Sequence, residues 1–349
     1  MTDLWSLPDF DGHEAVHFVT DRDSGLRAII AMHSTHLGPA AGGSRFWHYA
    51  RGEDALTDAL RLSRGMSFKN AMAGLPLGGG KAVILADENR TKTPAMLAAF
   101  GRAVERLGGH YVTAEDVGIG VADMQAVRAQ TSHVAGLPVA EGQVGGDPGP
   151  HTSLGVFLGI KAAVRRALGK DSLSGLHLAL QGAGSVASGV ARRAAAEGAR
   201  LTIADVDQAK AAALAAETGG QTVAPDAILS LAADVVSPNA LGAILDDASI
   251  AALNAPIVAG GANNQLARPE HGAALMARGI LYAPDYVINA GGIINVSTEY
   301  LKDGDASVVT RRIEGIPDRL DAIWAESESS GRDPATVADA MAMKLIGRG

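Results

Sequence analysis

Between Gly65 and Ala86 the only ionisable side chains are Lys69 and Lys81, set among Met, Phe, Ala, Leu and Gly. An ammonium taken out of water, or placed beside a second cation, gives up its proton more readily, by as much as ~3 to 5 pKa units when burial is complete. A lysine treated this way becomes a base near neutral pH. Lys81 follows Gly78, Gly79 and Gly80 and opens the apolar run AVIL, so it is expected where a glycine loop enters a core strand. The Gly-Lys pair suggests a phosphate loop, but that pattern needs Gly six residues before the lysine and Ser or Thr after it. Leu75 and Ala82 stand there, and the Walker reading fails. A single lysine is ordinarily a snorkelling surface residue; the apolar strand beside Lys81 is what argues for a site.

Two further groups qualify. The segment YVTAEDVG reads as a short strand ending in Glu115 and Asp116. Asp116 suits proton transfer, or it simply caps the helix VADMQAVRAQ that follows. From Leu176 the order is strand, Gly182-Ala183-Gly184-Ser185-Val186-Ala187, helix, second strand, Asp205. That is a dinucleotide fingerprint, G-x-G-x-x-A, with an acid about 20 residues on. Gly182 permits the tight turn, Gly184 admits a pyrophosphate, and the helix start offers N–H donors and a partial positive charge. Asp205 would accept from ribose hydroxyls and repel a 2′-phosphate, which favours NAD over NADP.

The elements that must position these groups alternate between strand and helix. AVHFVTDRDSGLRAIIAMHS from Ala15 reads as a hairpin, LGPAAGGSRFW as a Gly/Pro loop carrying an arginine, and Asp54 to Met72 as a helix that delivers Lys69. Pro94 starts a further helix, and Gly108-Gly109 stops it. The run GLPVAEGQVGGDPGP from Gly136 marks a domain crossing. The expected division is 1–135 plus about 325–349 in one domain and 136–324 in the other. After Asp205 come further strand and helix units: a strand at ADVVSPNA, another at APIVAGGANN, a third at ILYAPDYVINAGG, then a helix from Asn289 and two more to the end. Pro238-Asn239 and Gly260 to Asn264 fall where a doubly wound sheet binds ligands. The fold class is α/β in two domains, the C-terminal one Rossmann (doubly wound).

Composition sets the outer limits. With 47% hydrophobic residues and mean hydropathy +0.11 the chain can fill two cores. The absence of Cys excludes disulfides, cysteine nucleophiles and cysteine zinc sites, and no metal is expected. A net charge of −8 without a basic block argues against nucleic acid as a partner. No apolar run approaches a membrane span and the start is acidic, so a cytoplasmic location is expected.

Taken together, GPAAGGSR, GMSFKNA, LPLGGGKAV, YVTAEDVG, QGAGSVA, AGGANNQL and YAPDYVINAGGIINV resemble the leucine, phenylalanine and valine dehydrogenases of the glutamate dehydrogenase superfamily. The resemblance implies reversible NAD-linked oxidative deamination of an L-amino acid to a 2-oxo acid and ammonia, in a homo-oligomer (dimer or octamer) whose chain has an N-terminal α/β substrate domain, a C-terminal Rossmann domain and a cleft between. It implies that Lys69 holds the substrate carboxylate, Lys81 activates water and Asp116 shuttles protons. Asn263 would orient the substrate against the nicotinamide, and Gly42 would approach the carboxylate. Ala41, Met66, Ala114, Ile293 and Val296 would surround the substrate side chain. Thr152 and Asn239 join Gly182, Gly184, Ser185, Val186, Ala187, Asp205 and Asn263 in the cofactor set. Bulky Ile293 and Val296 suit an aliphatic substrate, whereas small Ala41 leaves room for an aromatic one; branched aliphatic substrates, leucine first, are the expectation, with phenylalanine the alternative. The family's Cys after the fourth Rossmann strand is Asn239 here. A silent NAD-binding regulator would be expected to have lost a lysine or Asp116. A hydroxy-acid dehydrogenase would want a His-Arg-carboxylate set, and His133 and His151 read as isolated.

Overall fold

The computed structural model describes residues 4–7, 9–139 and 144–349. The chain divides into two compact units, Met1–Asp147 with Val296–Ala306 and Ala342–Gly349, and Pro148–Asn295 with Ser307–Met341. This differs from the expected division at both ends. The start of the Gly/Pro run stays with the first unit, where Glu299 accepts from Gly136 N (3.0 Å) and Leu137 N (3.3 Å), and the second unit begins only at Pro148. Residues 325–341 go with the second, where Trp324 Nε1 donates to Tyr282 O at 2.9 Å.

The first unit is a five-stranded sheet ordered β1-β2-β4-β3-β5: β1 (Ala15–Asp21), β2 (Leu26–Ser34), β3 (Ala40–Trp47), β4 (Gly78–Leu85) and β5 (Tyr111–Glu115). Helices α1 (Gly52–Met72), α2 (Pro94–Glu105) and α3 (Val121–Arg128) cover it. The hairpin β1–β2 is antiparallel, as the Asp-Ser-Gly turn predicts, while β3 runs parallel to β4 and to β5. Side chains alternate across a strand, so Ile29, Ala31 and Val83 pack with Ala55, Ala59 and Leu60 of α1, and Ala28, Ile30, Ala82 and Ile84 pack with Phe100, Val104, Met124 and Val127. Lys81 shares parity with Val83 and so belongs to the α1 face, the helix that carries Lys69 in its last turn.

Two segments expected as loops are strands. LGPAAGGSRFW contributes β3, and Gly78 to Gly80 already belong to β4. Their glycines are strand residues because the neighbours press against the backbone. A Cβ on Gly79 would lie 2.0 Å from Ser67 N of α1, and one on Gly42 would lie 1.8 Å from Gly80 O. A close approach of this kind, with no positive φ, is the reason for glycine here.

The second unit opens with α4 (Gly149–Leu168) and is built on an all-parallel sheet ordered β11-β10-β9-β6-β7-β8. The strands are β6 (His177–Gln181), β7 (Arg200–Ala204), β8 (Gln221–Thr222), β9 (Val235–Pro238), β10 (Ile257–Val258) and β11 (Leu281–Tyr282). Between them lie α5 (Ser185–Ala196), α6 (Gln208–Thr218), α7 (Asp247–Ala252) and α8 (His271–Ala277). The segment ILYAPDYVINAGG, expected as one strand, is β11 followed by α9 (Asp285–Ile288), because Pro284 ends the ladder and its carbonyl starts the helical turn to Ile288 N. After α10 (Gly291–Leu301) come three helices where two were expected: α11 (Ala306–Glu314), α12 (Ile316–Ser330) and α13 (Pro334–Leu345). Gly315 and Pro317 separate the first two, and Gly331, in the left-handed conformation, ends α12.

Candidate active site

In the first unit the two expected acid–base groups meet. Lys81 Nζ lies 2.7 Å from Asp116 Oδ2, and Lys81 is only 6% exposed. Burial, the largest influence, pulls the ammonium's pKa below its ordinary value, and the Asp116 carboxylate holds it back only in part. For Asp116 burial is again the largest influence and pushes upward, but Lys81 and Arg45 outweigh it and leave the carboxyl below its usual range. The capping reading of Asp116 falls away: the cap of α3 is Gly120, whose N–H donates to Asp123 Oδ2 at 2.9 Å. Asp116 reaches the lysine over Gly43, where a Cβ would come within 3.0 Å of Asp116 Cβ and 2.4 Å of Glu115 O. That glycine makes the room in which the carboxylate sits.

The first unit also holds several of the predicted substrate residues. Gly42 and Ala41 lie on β3, and Met66 on α1 would come within 3.0 Å of a Cβ placed on Gly42. Tyr111 Oη donates to Gly42 O at 2.7 Å, and the buried Asn70 amide donates to Gly78 O at 2.6 Å and Ala41 O at 3.4 Å. These bonds fix the β3–β4 glycine backbone against α1, hence the helix turn bearing the half-buried Lys69. Ala114 is half-buried near the end of β5, and Val296 is buried in the part of α10 that belongs to this unit, near Gly136. Ile293 and Asn263 fall in the second unit.

Sequence reading missed Arg45, Asp58 and Tyr49 as site residues. Arg45 Nε donates to Asp116 Oδ2 (3.1 Å) and Nη1 to Asp58 Oδ2 (2.8 Å), and Tyr49 Oη donates to the same Asp58 oxygen. No local signal marks them, because Arg45 and Asp116 are 71 residues apart and meet through strand pairing.

In the second unit the parallel register Gln181↔Ala204 and Gln181↔Pro238 brings Gly182, Asp205 and Asn239 to one edge of the sheet. Gly182 has φ +99°, in the region that favours glycine, and a Cβ on Gly184 would meet nothing within 4 Å. The backbone there is open to an approaching group. Ser185, Val186 and Ala187 form the first turn of α5, whose N–H groups have no acceptor within the helix. Asp205 accepts from Ala183 N (2.7 Å) and Asp207 N (2.8 Å), which orients the carboxylate and leaves each oxygen a second lone pair. These residues fit a dinucleotide. Asn239 turns inward: its amide donates to Ser237 O and Oγ (2.9 and 3.0 Å) and accepts from Gly261 N at 2.9 Å. Thr152, in the first turn of α4, donates to Pro148 O at 2.9 Å. Asn263 Oδ1 accepts from Asn289 Nδ2 at 2.8 Å, so Asn289, which sequence reading also missed, sets which way the Asn263 amide faces.

Residues 13–133 match the family model described as Glu/Leu/Phe/Val dehydrogenase, dimerisation domain, and residues 202–346 match Glutamate/Leucine/Phenylalanine/Valine dehydrogenase. The chain is 46% identical over 344 residues to leucine dehydrogenase of Geobacillus stearothermophilus, covering 99% of this chain and 93% of that one. It is 44% identical over 337 residues to valine dehydrogenase of Streptomyces virginiae, covering 96% and 94%. The crystal structure of L-tryptophan dehydrogenase from Nostoc punctiforme superposes with a TM-score of 0.85 at 42% identity, covering 96% of each chain. Identity at this level over nearly the whole of each relative has one consequence: the chain belongs to the Glu/Leu/Phe/Val dehydrogenase family and is an amino-acid dehydrogenase.

Proposed function

We propose that this dehydrogenase carries out the reversible, NAD-dependent oxidative deamination of a branched-chain aliphatic L-amino acid, leucine first, to its 2-oxo acid and ammonia. The observation that carries the reading is the buried Lys81 amine held 2.7 Å from Asp116, a base and an acid in one contact. Lys69 binds the substrate carboxylate as a point charge at the end of α1, and Asp116 receives the amino group. When bound, NAD supplies the hydride acceptor for the bond broken at the substrate Cα. Lys81, unprotonated, takes a proton from the water that adds to the imino carbon. Asp116 then returns to the departing nitrogen the proton it took from the substrate ammonium before hydride transfer; the carbinol hydroxyl gives its proton to that carboxylate as ammonia leaves, and the 2-oxo acid remains. Gly182, Gly184 and the first turn of α5 hold the pyrophosphate, while Asp205 takes the ribose hydroxyls and disfavours a 2′-phosphate. Exposed Val206 (88%) and Leu241 (75%) at the same strand ends offer apolar faces to the adenine.

Leucine is favoured because relatives named leucine dehydrogenase align at 43–46% identity over more than nine-tenths of this chain. Small Ala41 and the likeness to a tryptophan dehydrogenase support an aromatic substrate as the second reading. One methylene in such a pocket is worth only ~1 to 3 kcal/mol, so the distinction is one of rate. The dimerisation description of the family model supports a homo-oligomer, a dimer or an octamer. The test is NADH formation with L-leucine, L-valine, L-phenylalanine and L-tryptophan, with Lys81→Ala as control. Leucine is expected to give the highest kcat/KM. A higher value for phenylalanine or tryptophan would favour the aromatic reading, and full turnover in Lys81→Ala would remove the lysine from its role.

A further inference from the structure

The acid–base pair rests on a second layer of charge that the reaction itself does not call for. Asp116 follows the last residue of β5, so strand pairing does not hold its side chain, and a contact to Lys81 alone would leave it free to rotate with the lysine. Arg45 comes from β3 on the α1 side of the sheet and forks between two carboxylates, Nε on Asp116 Oδ2 at 3.1 Å and Nη1 on Asp58 Oδ2 at 2.8 Å. Asp58 belongs to α1 and also accepts a hydrogen bond from the Tyr49 hydroxyl. A planar guanidinium held at two points on separate elements cannot turn without breaking one of them, a constraint that an ammonium does not provide.

We propose that Arg45, braced by Asp58 and Tyr49, is the positioning residue of the site: it fixes Asp116 with Oδ2 toward Lys81 and presents Oδ1 to the substrate's amino group. The proposal rests on the reading of Lys81 and Asp116 given above. Both cations meet Oδ2, so Oδ1 carries neither of them. Arg45 also resolves an electrostatic difficulty. When Lys81 surrenders its proton, Asp116 would be left as a half-buried carboxylate with no cation, which makes the surrender costly. The guanidinium does not titrate in this range and keeps the carboxylate paired through that step. The charged groups around Asp116 are Lys81 from β4, Arg45 from β3, Asp58 from α1 behind the arginine, and its neighbour Glu115. The brace is partly solvated, with Arg45 24% and Asp58 25% exposed, and a groove of about 470 Å³ lined by Arg45, Tyr49, Thr57, Asp58 and Val117 brings water to its outer side.

The experiment is the pH dependence of kcat and kcat/KM for L-leucine in the full-length enzyme, for Arg45→Met, Arg45→Lys and Asp58→Asn, with thermal unfolding measured alongside. For Arg45→Met we expect kcat to fall about a hundredfold and the acidic limb of the profile to move up by about one pH unit. Arg45→Lys should return the limb toward its original position, because the charge is restored, while kcat stays about tenfold low because the fork is not. Asp58→Asn should lower kcat about tenfold with KM changed less than about threefold. A folded Arg45→Met with the wild-type profile and kcat overturns the proposal. Should that variant not fold, an Asp58→Asn enzyme with unchanged kcat and profile overturns it equally. The Lys81→Ala control separates the two levels. If Lys81→Ala keeps full turnover, the reading of the pair itself fails; if Lys81→Ala is inactive while the Arg45 and Asp58 variants behave as wild type, only the brace fails.

Discussion

Acidification is expected to loosen the first unit through one buried histidine, His33. It is 0% exposed, Nδ1 lies 2.8 Å from Ser67 Oγ, and Nε2 receives Arg348 Nη1 at 2.9 Å. Nε2 also faces Asp11 Oδ2 at 3.3 Å, which pulls toward protonation, but the shorter contact is to Arg348; since a guanidinium can only donate, Nε2 is the acceptor and the ring is the neutral Nδ1–H tautomer. A proton on Nε2 would aim a charged donor at Arg348. Burial first, and then the charges of Arg348 and His13, lower the pKa from 6.5 to about 4. The unfolded chain therefore binds a proton that the folded chain refuses between pH 6.5 and about 4. Stability from this group is present above pH 6.5 and is lost as pH falls toward about 4. At 1.36 kcal/mol per unit the loss from neutrality to that pH is roughly 3 kcal/mol, a large part of a domain's ~5 to 15 kcal/mol.

His33→Gln removes the titration yet keeps an acceptor for Arg348. Denaturant-dependent hydrogen exchange of the β2 amides, corrected for intrinsic rates, reads the stability of this unit alone. Wild type should lose roughly 3 kcal/mol more than His33→Gln between pH 7 and 4. Parallel curves, separated by a constant offset, would refute the claim that a neutral buried histidine governs acid stability here. Groups away from His33 that titrate in this range are common to both proteins and cancel in the difference, while His13 and Asp11, which interact with His33, contribute to it.

Asp205→Asn should raise the NADP/NAD ratio of kcat/KM by about ten- to a hundredfold, because a carboxylate facing a phosphate is removed; assays with both cofactors measure it, and an unchanged ratio would mean that Asp205 does not face the 2′ position. Gly79→Ala puts a Cβ 2.0 Å from Ser67 N, so α1 must move. The expected cost is about 1 to 3 kcal/mol of stability with a raised KM, through the displaced turn of Lys69, seen by chemical denaturation and steady-state kinetics. Removal of Arg348 and Gly349 deletes four hydrogen bonds of the arginine, to Asp11 O, Gly12 O, His33 O and His33 Nε2. At about 1 kcal/mol for each, the truncated protein should melt several degrees lower with kcat little changed, as calorimetry and turnover together would show.

The turn around Gly182 and Gly184 was legible residue by residue, because strand, turn, helix and acid are contiguous and each residue type is dictated by its own backbone. The apolar strand beside Lys81 was legible for the same reason: AVIL is a short apolar run with two β-branched residues, entered from glycines. β3 was not. Ala40–Trp47 carries two glycines where β propensity would place branched residues, and it becomes a strand only because β4 and β5 flank it. The short β11 failed the other way, since an apolar run with Pro284 inside reads as extended until the helical turn of α9 captures it.

Local patterning therefore determined the two chemistries on its own: a lysine in an apolar strand and a nucleotide turn, with the residue types that each requires. Tertiary structure decided the partners. Asp116 chose Lys81 and Arg45 over the cap of α3, and Asp58 on α1 came to hold the arginine. These contacts join residues 13 to 71 positions apart. Strand order and register determine which of them meet, and those follow from how whole faces pack, which no short stretch of residues encodes.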